Sequence, residues 1–406
     1  MSQMVWKNKY GAGGGTNGVA YVHEYILVYS KTQITSLTCE LSDELIAAYN
    51  KQDEKFAYRG GYTTQPLAST SKGARANLMY TIEHQGEFIA PPKGGRWIWS
   101  KEKFDAAYKK NEIVINKTAD GHSVRFKQYL KDEDGNMRKG TQLSMITNVF
   151  NQQGTKEFAA LMGDKRIFDF PKPTDLLMQL FKLEVNGESN KDAIILDFFS
   201  GSASSAHAIM NMNASDGGER KFIMVQLPEI CGEDSYARKN GYSTIAEVGK
   251  ERIRRAGKKI KEDSPLTTQN LDTGFRVFKL DDTNMTDVYY SADEYSQGML
   301  SMLESNVKAD RTDLDLLFGC LLEWGLPLSL PYTSEQIEGC TVHTYNDGDL
   351  IACFDENIPD SVIKSIAKRQ PLRAVFRDSS FASSPSKINV GEVFKLLAPD
   401  TRVKVI

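Results

Sequence analysis

Hydrophobic positions in residues 191–229 follow the most regular pattern in the chain. An apolar run, Ala193-Ile194-Ile195-Leu196, ends in Asp197 and gives way to small residues over 200–205. A helix-like stretch covers 206–213, and a second apolar run, 222–227, closes in Pro228-Glu229. The pattern predicts strand, small-residue turn, helix and strand, with an acid at the second tip. Elsewhere, 25–29 reads as a buried strand, and 40–58 as a short amphipathic helix through Leu41, Leu45, Ile46 and Tyr49. Residues 60–150 break into short pieces separated by Gly, Asp and Asn. Helices are expected over 174–183, 203–213 and 243–262, the last stopped by Asp263-Ser264-Pro265. From 272 a separate unit alternates helices (292–305, 313–323, 359–368) with strands (341–345, 350–354, 374–376). No internal repeat or low-complexity segment is visible.

A small-residue turn between strand and helix suits a nucleotide-like cofactor. Small side chains admit the ligand to the backbone, and the helix start offers unbonded N–H groups. A carboxylate at the second strand tip can take both ribose hydroxyls. Only Gly201, Ser202 and Ala203 stand where the turn is tight, so the G-x-G-x-x-G pattern is missing, which argues against a nicotinamide oxidoreductase. The glycine loop 10–18 follows no strand and reads as a tether, not a phosphate cradle.

Length and charge narrow the class. A chain of 406 residues accommodates about two or three domains. The N-terminus lacks the apolar core of a signal peptide and no apolar run reaches membrane length, so a cytoplasmic location is expected. Five scattered cysteines, with no C-x-x-C pair or Cys/His cluster, predict neither a metal site nor a disulfide frame.

The net charge of −3 means that any DNA contact must come from local patches. Residues 93–110 are the first: Lys93, Arg96, Lys101, Lys103, Lys109 and Lys110 alternate with Trp97, Trp99 and Phe104. Indole faces stack on bases while cations meet phosphates, and Arg96 is the best candidate for paired bonds to guanine. The alternation of Trp97 and Trp99 also fits a strand with one of them in the core. Arg125, Lys127, Lys131, Arg138 and Lys139 form a second cluster. The third, Lys250, Arg252, Arg254, Arg255, Lys258, Lys259 and Lys261, lies on one expected helix and fits a solvated face equally well.

The segment Asp197-Phe198-Phe199-Ser200-Gly201-Ser202-Ala203 resembles motif I, D-x-F-x-G-S-G, of S-adenosylmethionine (AdoMet)-dependent DNA amino-methyltransferases, with Ala203 in place of the last glycine. Phe170-Pro171-Lys172-Pro173 followed by Thr174-Asp175-Leu176-Leu177 resembles motif X, which precedes motif I in the β order of these enzymes. Residues 274–280, Asn284-Met285, 293–296, 371–378 and 387–390 resemble the C-terminal blocks of type III restriction–modification methylation (Mod) subunits. Residues 23–31 resemble the strand that follows the catalytic motif.

The resemblance implies an incomplete Rossmann-like α/β methyltransferase fold with a DNA-recognition insertion and a C-terminal α/β domain. Its divisions are a catalytic remnant at 1–59, target recognition at 60–150, cofactor binding at 151–265 and subunit assembly at 272–406. It implies AdoMet held by Asp197, Phe199, Gly201, Ser202 and Glu229, with Lys172, Pro173 and Thr174 closing on its methionine end. It also implies double-stranded DNA, a Mod homodimer and a restriction (Res) subunit as partners. DNA contacts are expected from Lys93, Arg96, Trp97, Trp99, Lys101 and Lys103.

Plainer readings exist for the same residues: Asp197 as a helix cap, Phe199 as ordinary packing, Glu229 as a surface acid, and His207 as a packed histidine. Ala203 adds a methyl where backbone approach is close, so weak AdoMet binding is expected. The family's Asp-Pro-Pro-Tyr tetrapeptide does not occur in the sequence, and no catalytic residue is assigned. Pro91-Pro92, the single Pro-Pro pair, is followed by Lys93. Two expectations follow: an adenine-N6 methyltransferase inactive by itself, its tetrapeptide supplied upstream or on a separate piece, or a non-catalytic DNA-binding or assembly remnant.

Overall fold

The structure, a computed structural model, describes residues 2–12, 18–70, 75–119, 121–188, 190–286, 307–381 and 384–406. The helix expected over 292–305, the block 293–296 and the centre of the 10–18 loop lie outside them. The chain divides into two compact mixed α/β units, Met1–Gly274 and Phe275–Ile406.

In the first unit, β1 (Ser2–Lys7) pairs antiparallel with β2 (His23–Val28) and parallel with the short strand Met145–Ile146. Met4 and Trp6 are buried with Ile146, Val149 and Leu176, and the Trp6 indole donates to the Val149 carbonyl at 2.7 Å. The strand expected to be buried is covered on one side only. Ile26 and Val28 pack on this core, whereas Tyr25 and Leu27, pointing to the other face, are exposed. The short amphipathic helix expected within 40–58 is found as two separate pieces, Asp43–Ala47 and Phe56–Arg59. Between the two pieces, Lys51 forms an antiparallel bridge to Tyr62 instead of continuing the helix.

The next section centres on an antiparallel sheet of β3 (Tyr62–Pro66), β4 (Ile113–Thr118) and β5 (Gly121–Tyr129), with β5 in the middle. Helix α1 (Lys101–Lys109) starts at Ser100, whose hydroxyl accepts the Lys103 N–H. Leu67, Ile82, Trp97, Phe104 and Val124 form the core here.

Helices α2 (Asn151–Met162) and α3 (Thr174–Phe181) precede the strand–turn–helix–strand unit. In that unit β6 (Ile194–Asp197) and β7 (Lys221–Met224) are parallel and joined by α4 (Ser204–Asp216). Buried Ala206, Ala208, Ile209 and Met210 let α4 pack closely against α3 and α5 (Ile245–Asp263). The start of α5 is a capping box: Thr244 accepts the Glu247 N–H while Glu247 reaches back to the Thr244 N–H.

The second unit is a five-stranded sheet, β8 (Tyr332–Ile337), β9 (Cys340–Tyr345), β10 (Leu350–Cys353), β11 (Arg373–Phe376) and β12 (Arg402–Val405), in that spatial order. The first three are antiparallel and the last two join in parallel. One core sets Leu317 and Leu321 of α6 (Asp313–Glu323) with Tyr345, Ala352 and Phe354. The other gathers Val362 and Ile366 of α7 (Asp360–Lys368) with Phe394 of α8 (Ser384–Leu397), Ile351 and Phe376. Covered on both faces, β10 is apolar at every position. No helix among the described residues is long and apolar enough to cross a membrane.

Candidate cofactor site

Two positive backbone angles make the turn after β6. Gly201 has φ +50°, and a Cβ there would lie 3.2 Å from the Phe168 ring. Ala203 has φ +58°, a left-handed conformation that costs a non-glycine residue about 1–2 kcal/mol. Its methyl is buried at 2 % exposure and packs toward Gly249 of α5. The expected crowding at the open side is therefore replaced by backbone strain.

The chemistry-bearing side chains gather at the end of β6. Asp197 accepts the Ser205 hydroxyl at 2.5 Å through Oδ2 and the Phe199 N–H at 3.3 Å through Oδ1. It thus ties the turn and still borders a cavity of about 280 Å³ with Leu177, Phe181, Phe198, Phe199 and Ser205. The Phe199 ring is 78 % exposed, so packing does not account for it. Gln226 Oε1 accepts the Gly201 N–H at 2.7 Å. Sequence reasoning passed over Gln226, although a polar residue inside the 222–227 apolar run was a visible signal.

Behind the turn lies an ionic brace. Arg252, on α5, is fully buried and donates to the Ser202 and Ser204 hydroxyls at 3.0 and 2.6 Å. Its other amino group reaches Glu157 Oε1 on α2 at 3.3 Å. Glu157 Oε2 accepts the Thr174 N–H at 3.1 Å, and His207 Nδ1 lies 3.0 Å from Oε1. Burial alone raises the Glu157 carboxyl, but His207, Arg252 and the Thr174 amide outweigh it and hold it below its ordinary value. His207 and Arg252 are thus structural, and Ser202 is turned inward to Arg252.

The remaining expected residues are spread more widely. Thr174 is buried at the start of α3, and Gly154 lets α2 approach Pro171–Pro173; a Cβ there would meet the Pro171 oxygen at 2.3 Å. Lys172 points outward to Glu24 at 2.8 Å and over the Trp6 ring. Glu229 is exposed beyond β7, outside the cavity lining, and its carbonyl accepts the Ile245 N–H.

One face of the β6–β7 pair is bare. Ile194, Leu196, Phe198, Ile223, Val225 and Leu227 are each 48–66 % exposed. Parallel strands are ordinarily covered on both faces, so the two runs are not the buried strands their composition suggests.

Residues 1–229 match the model of a family described as DNA methylase, N6_N4_Mtase. The chain belongs to the DNA methylase family. It is 33 % identical over 285 residues to the type III restriction-modification enzyme StyLTI Mod subunit of Salmonella typhimurium, covering 69 % of this chain and 41 % of that protein. It is 28 % identical to the type II methyltransferase M.KpnI of Klebsiella pneumoniae, covering 62 % of this chain and 61 % of the relative. With the EcoP15I Mod subunit of Escherichia coli it shares 25 % identity across 98 % of its own length and 64 % of the relative's. The chain therefore spans 41–64 % of the length of these relatives.

The basic–aromatic cluster at 93–110 is only partly open to solvent. Trp97 is core, 1 % exposed, with its indole donating to the Tyr80 carbonyl at 2.7 Å. Trp99 is half-buried; Phe126 lies 4.3 Å from its ring and Lys103 Nζ sits 4.5 Å over it. Buried in the core, the Trp97 indole is not placed to stack on a base, which corrects the expectation for that residue. Alternation along the chain put Trp97 inward, and Lys103 covers its neighbour. Lys101 pairs with Asp105 at 2.5 Å and Lys110 with Glu133 at 2.5 Å. Lys93, Lys103 and Lys109 are exposed and have no ion pair among the described residues; Arg96 is half-buried on the strand Arg96–Trp97. In the second cluster Lys127 pairs with Asp53, and Arg125 donates to Thr64. On α5, Arg254, Arg255, Lys258 and Lys259 pair with acids of their own helix.

Proposed function

We propose that this chain carries the cofactor half and the DNA-reading segment of an adenine-N6 DNA methyltransferase of the type III Mod kind. On this reading 151–265 is a Rossmann-like AdoMet-binding segment and 60–150 a DNA-recognition insertion. The observation that carries it is the cavity at the carboxyl end of β6, bordered by Asp197 and an exposed Phe199, where open α/β sheets take their ligands. Two residues of the lining fit such a ligand: an unburied aromatic ring for a flat or apolar surface and a fixed carboxylate for a cationic group; Glu229, beyond β7 and outside that lining, is the proposed partner of the ribose hydroxyls.

When bound, AdoMet supplies a sulfonium methyl that is already electrophilic, so the protein's work is positioning. Asp197 and Phe199 hold the cofactor's orientation while the Arg252–Glu157 brace keeps their turn fixed. The target adenine leaves the duplex and is presented with its amine in line. The 406 residues contain no Asp-Pro-Pro-Tyr to hold that amine. A polypeptide segment carrying it is proposed to cover the bare β6–β7 face, whose apolar residues call for a packed layer. Residues 272–406 are the proposed assembly unit toward a second Mod chain and a Res subunit.

Calorimetry with AdoMet tests this reading. The wild-type chain should show weak saturable binding. Glu229→Ala should cost roughly 1–3 kcal/mol through lost charged hydrogen bonds, and Asp197→Asn should also weaken binding. No saturable binding, or wild-type affinity in both variants, refutes the site.

A further inference from the structure

In the second unit, strand pairing brings together residues that sequence spacing kept apart. Cys340 opens β9 and Cys353 closes β10; Val342 pairs with Cys353, so the two cysteines are diagonal neighbours on one face of the sheet. Asp355 follows just beyond β10. The two sulfurs and an Asp355 carboxylate oxygen all lie within 4.8 Å of one another. Cys353 is fully buried and Cys340 nearly so, while Asp355 is half-buried and opens toward solvent.

The surroundings are those of a cation seat. Asp355 Oδ2 accepts the Thr341 N–H, and Cys353 Sγ lies 3.9 Å from the same oxygen. The charged groups that act most strongly on the thiols are carboxylates: Asp355 and Glu338 on Cys340, Asp355 and Asp313 on Cys353. Apolar packing accounts for the two buried thiols, and the Thr341 N–H fixes the carboxylate beside them. Two soft sulfurs and one oxygen at this spacing match the ligand preferences of zinc-class ions, with a further position left to water from the Asp355 side.

We propose that Cys340, Cys353 and Asp355 bind a soft divalent cation of the zinc class. On binding, each thiol loses its proton to solvent as its sulfur–metal bond forms, and the ion cross-links β9 to the end of β10.

Cobalt(II), a spectroscopic stand-in for zinc, tests the site on the full chain under reducing conditions. The wild type should develop thiolate-to-cobalt charge-transfer absorption saturating near about one equivalent, and zinc should abolish it. Cys340→Ser and Cys353→Ser should each lose the band. A variant with Cys39→Ser, Cys231→Ala and Cys320→Ala should keep it. If a cysteine variant fails to fold by circular dichroism, Asp355→Asn, which leaves both thiols in place, should still weaken the titration. The proposal is overturned by a wild type without the band, by a band retained in folded Cys340→Ser, or by recovery of Cys340 and Cys353 as a disulfide.

Discussion

Arg252 on α5 and Glu157 on α2 meet at 3.3 Å directly behind the small-residue turn, and between them they hold both halves of the candidate site. The guanidinium takes the Ser202 and Ser204 hydroxyls, and the carboxylate takes the Thr174 amide. The motif I-like turn and the 170–174 loop therefore share one fixed point. A fully buried cation without its partner carries an uncompensated desolvation cost, which makes the pair sensitive to change on either side.

Arg252→Ala strands Glu157 and two hydroxyls in the interior. Unfolding by urea should show a loss of about 3–5 kcal/mol, the usual effect of breaking a buried pair. Arg252→Lys should recover only part, since one ammonium replaces a planar fork that reaches three acceptors. A change below about 1 kcal/mol for the alanine variant contradicts the brace.

Glu157 also sets an acid limit. Its folded carboxyl lies below the ordinary value of 4.5, so its contribution to stability is complete above that value and is lost as pH falls through the lower folded one. The stability difference between wild type and Glu157→Gln should be constant near neutrality and shrink below pH 4.5. A difference that grows on acidification reverses the sign and rejects the assignment.

Ala203→Gly relieves a left-handed alanine at the cost of one buried methyl. Strain of about 1–2 kcal/mol exceeds the packing lost at a single small contact, so a gain of about 1 kcal/mol in thermal or urea unfolding is expected. AdoMet affinity should not fall, because the methyl faces Gly249 and not the cavity. Destabilisation by this change is evidence that Ala203 matters through packing alone.

The strand–turn–helix–strand unit was legible because its apolar runs, small residues and helix follow local rules. β6, α4 and β7 fall within a few residues of the expected elements. Helix Asp313–Glu323 was equally plain from its periodicity. Legibility ended where long-range contacts decide. Nothing local marks Arg252 as buried within a run of basic residues, since Glu157 and Ser202 are distant in sequence. Which face of 25–29 or 222–227 is covered depends on neighbouring elements, so an apolar run read as buried and was found half-open. Trp97 and Trp99 carried the right residue types for base stacking, but only the fold assigns one to the core and covers the other. Cys340 and Cys353 were scattered until strand pairing joined them.

Methyl transfer tests the missing tetrapeptide. The purified chain should incorporate no labelled methyl from AdoMet into DNA, because its residues provide no group to hold the amine. A polypeptide carrying Asp-Pro-Pro-Tyr that restores incorporation should fail to do so with Leu196→Glu or Ile223→Glu, which put charge on the bare face. Robust transfer by the chain alone means that the catalytic group has been misplaced.

DNA binding by 60–150 rests on fewer residues than the sequence offered. Lys101 and Lys110 are already paired with acids, and both tryptophans are engaged. Lys93, Lys103 and Lys109 remain as exposed cations for phosphates. Each phosphate contact adds about 0.9 to the slope of log affinity against log salt. A Lys93/Lys103/Lys109 triple alanine variant should therefore bind duplex DNA more weakly and with a slope shallower by about 2–3. Lys101→Ala should change little, because its charge is offset by Asp105. Arg96→Ala separates sequence reading from phosphate binding: it should reduce discrimination between target and unrelated duplexes by about 1–3 kcal/mol while leaving the salt slope nearly intact. Gel-shift titrations across a salt series measure all three. An unchanged slope in the triple variant moves the DNA surface away from this cluster, and a loss of affinity in Lys101→Ala equal to that of the triple variant rejects the ranking.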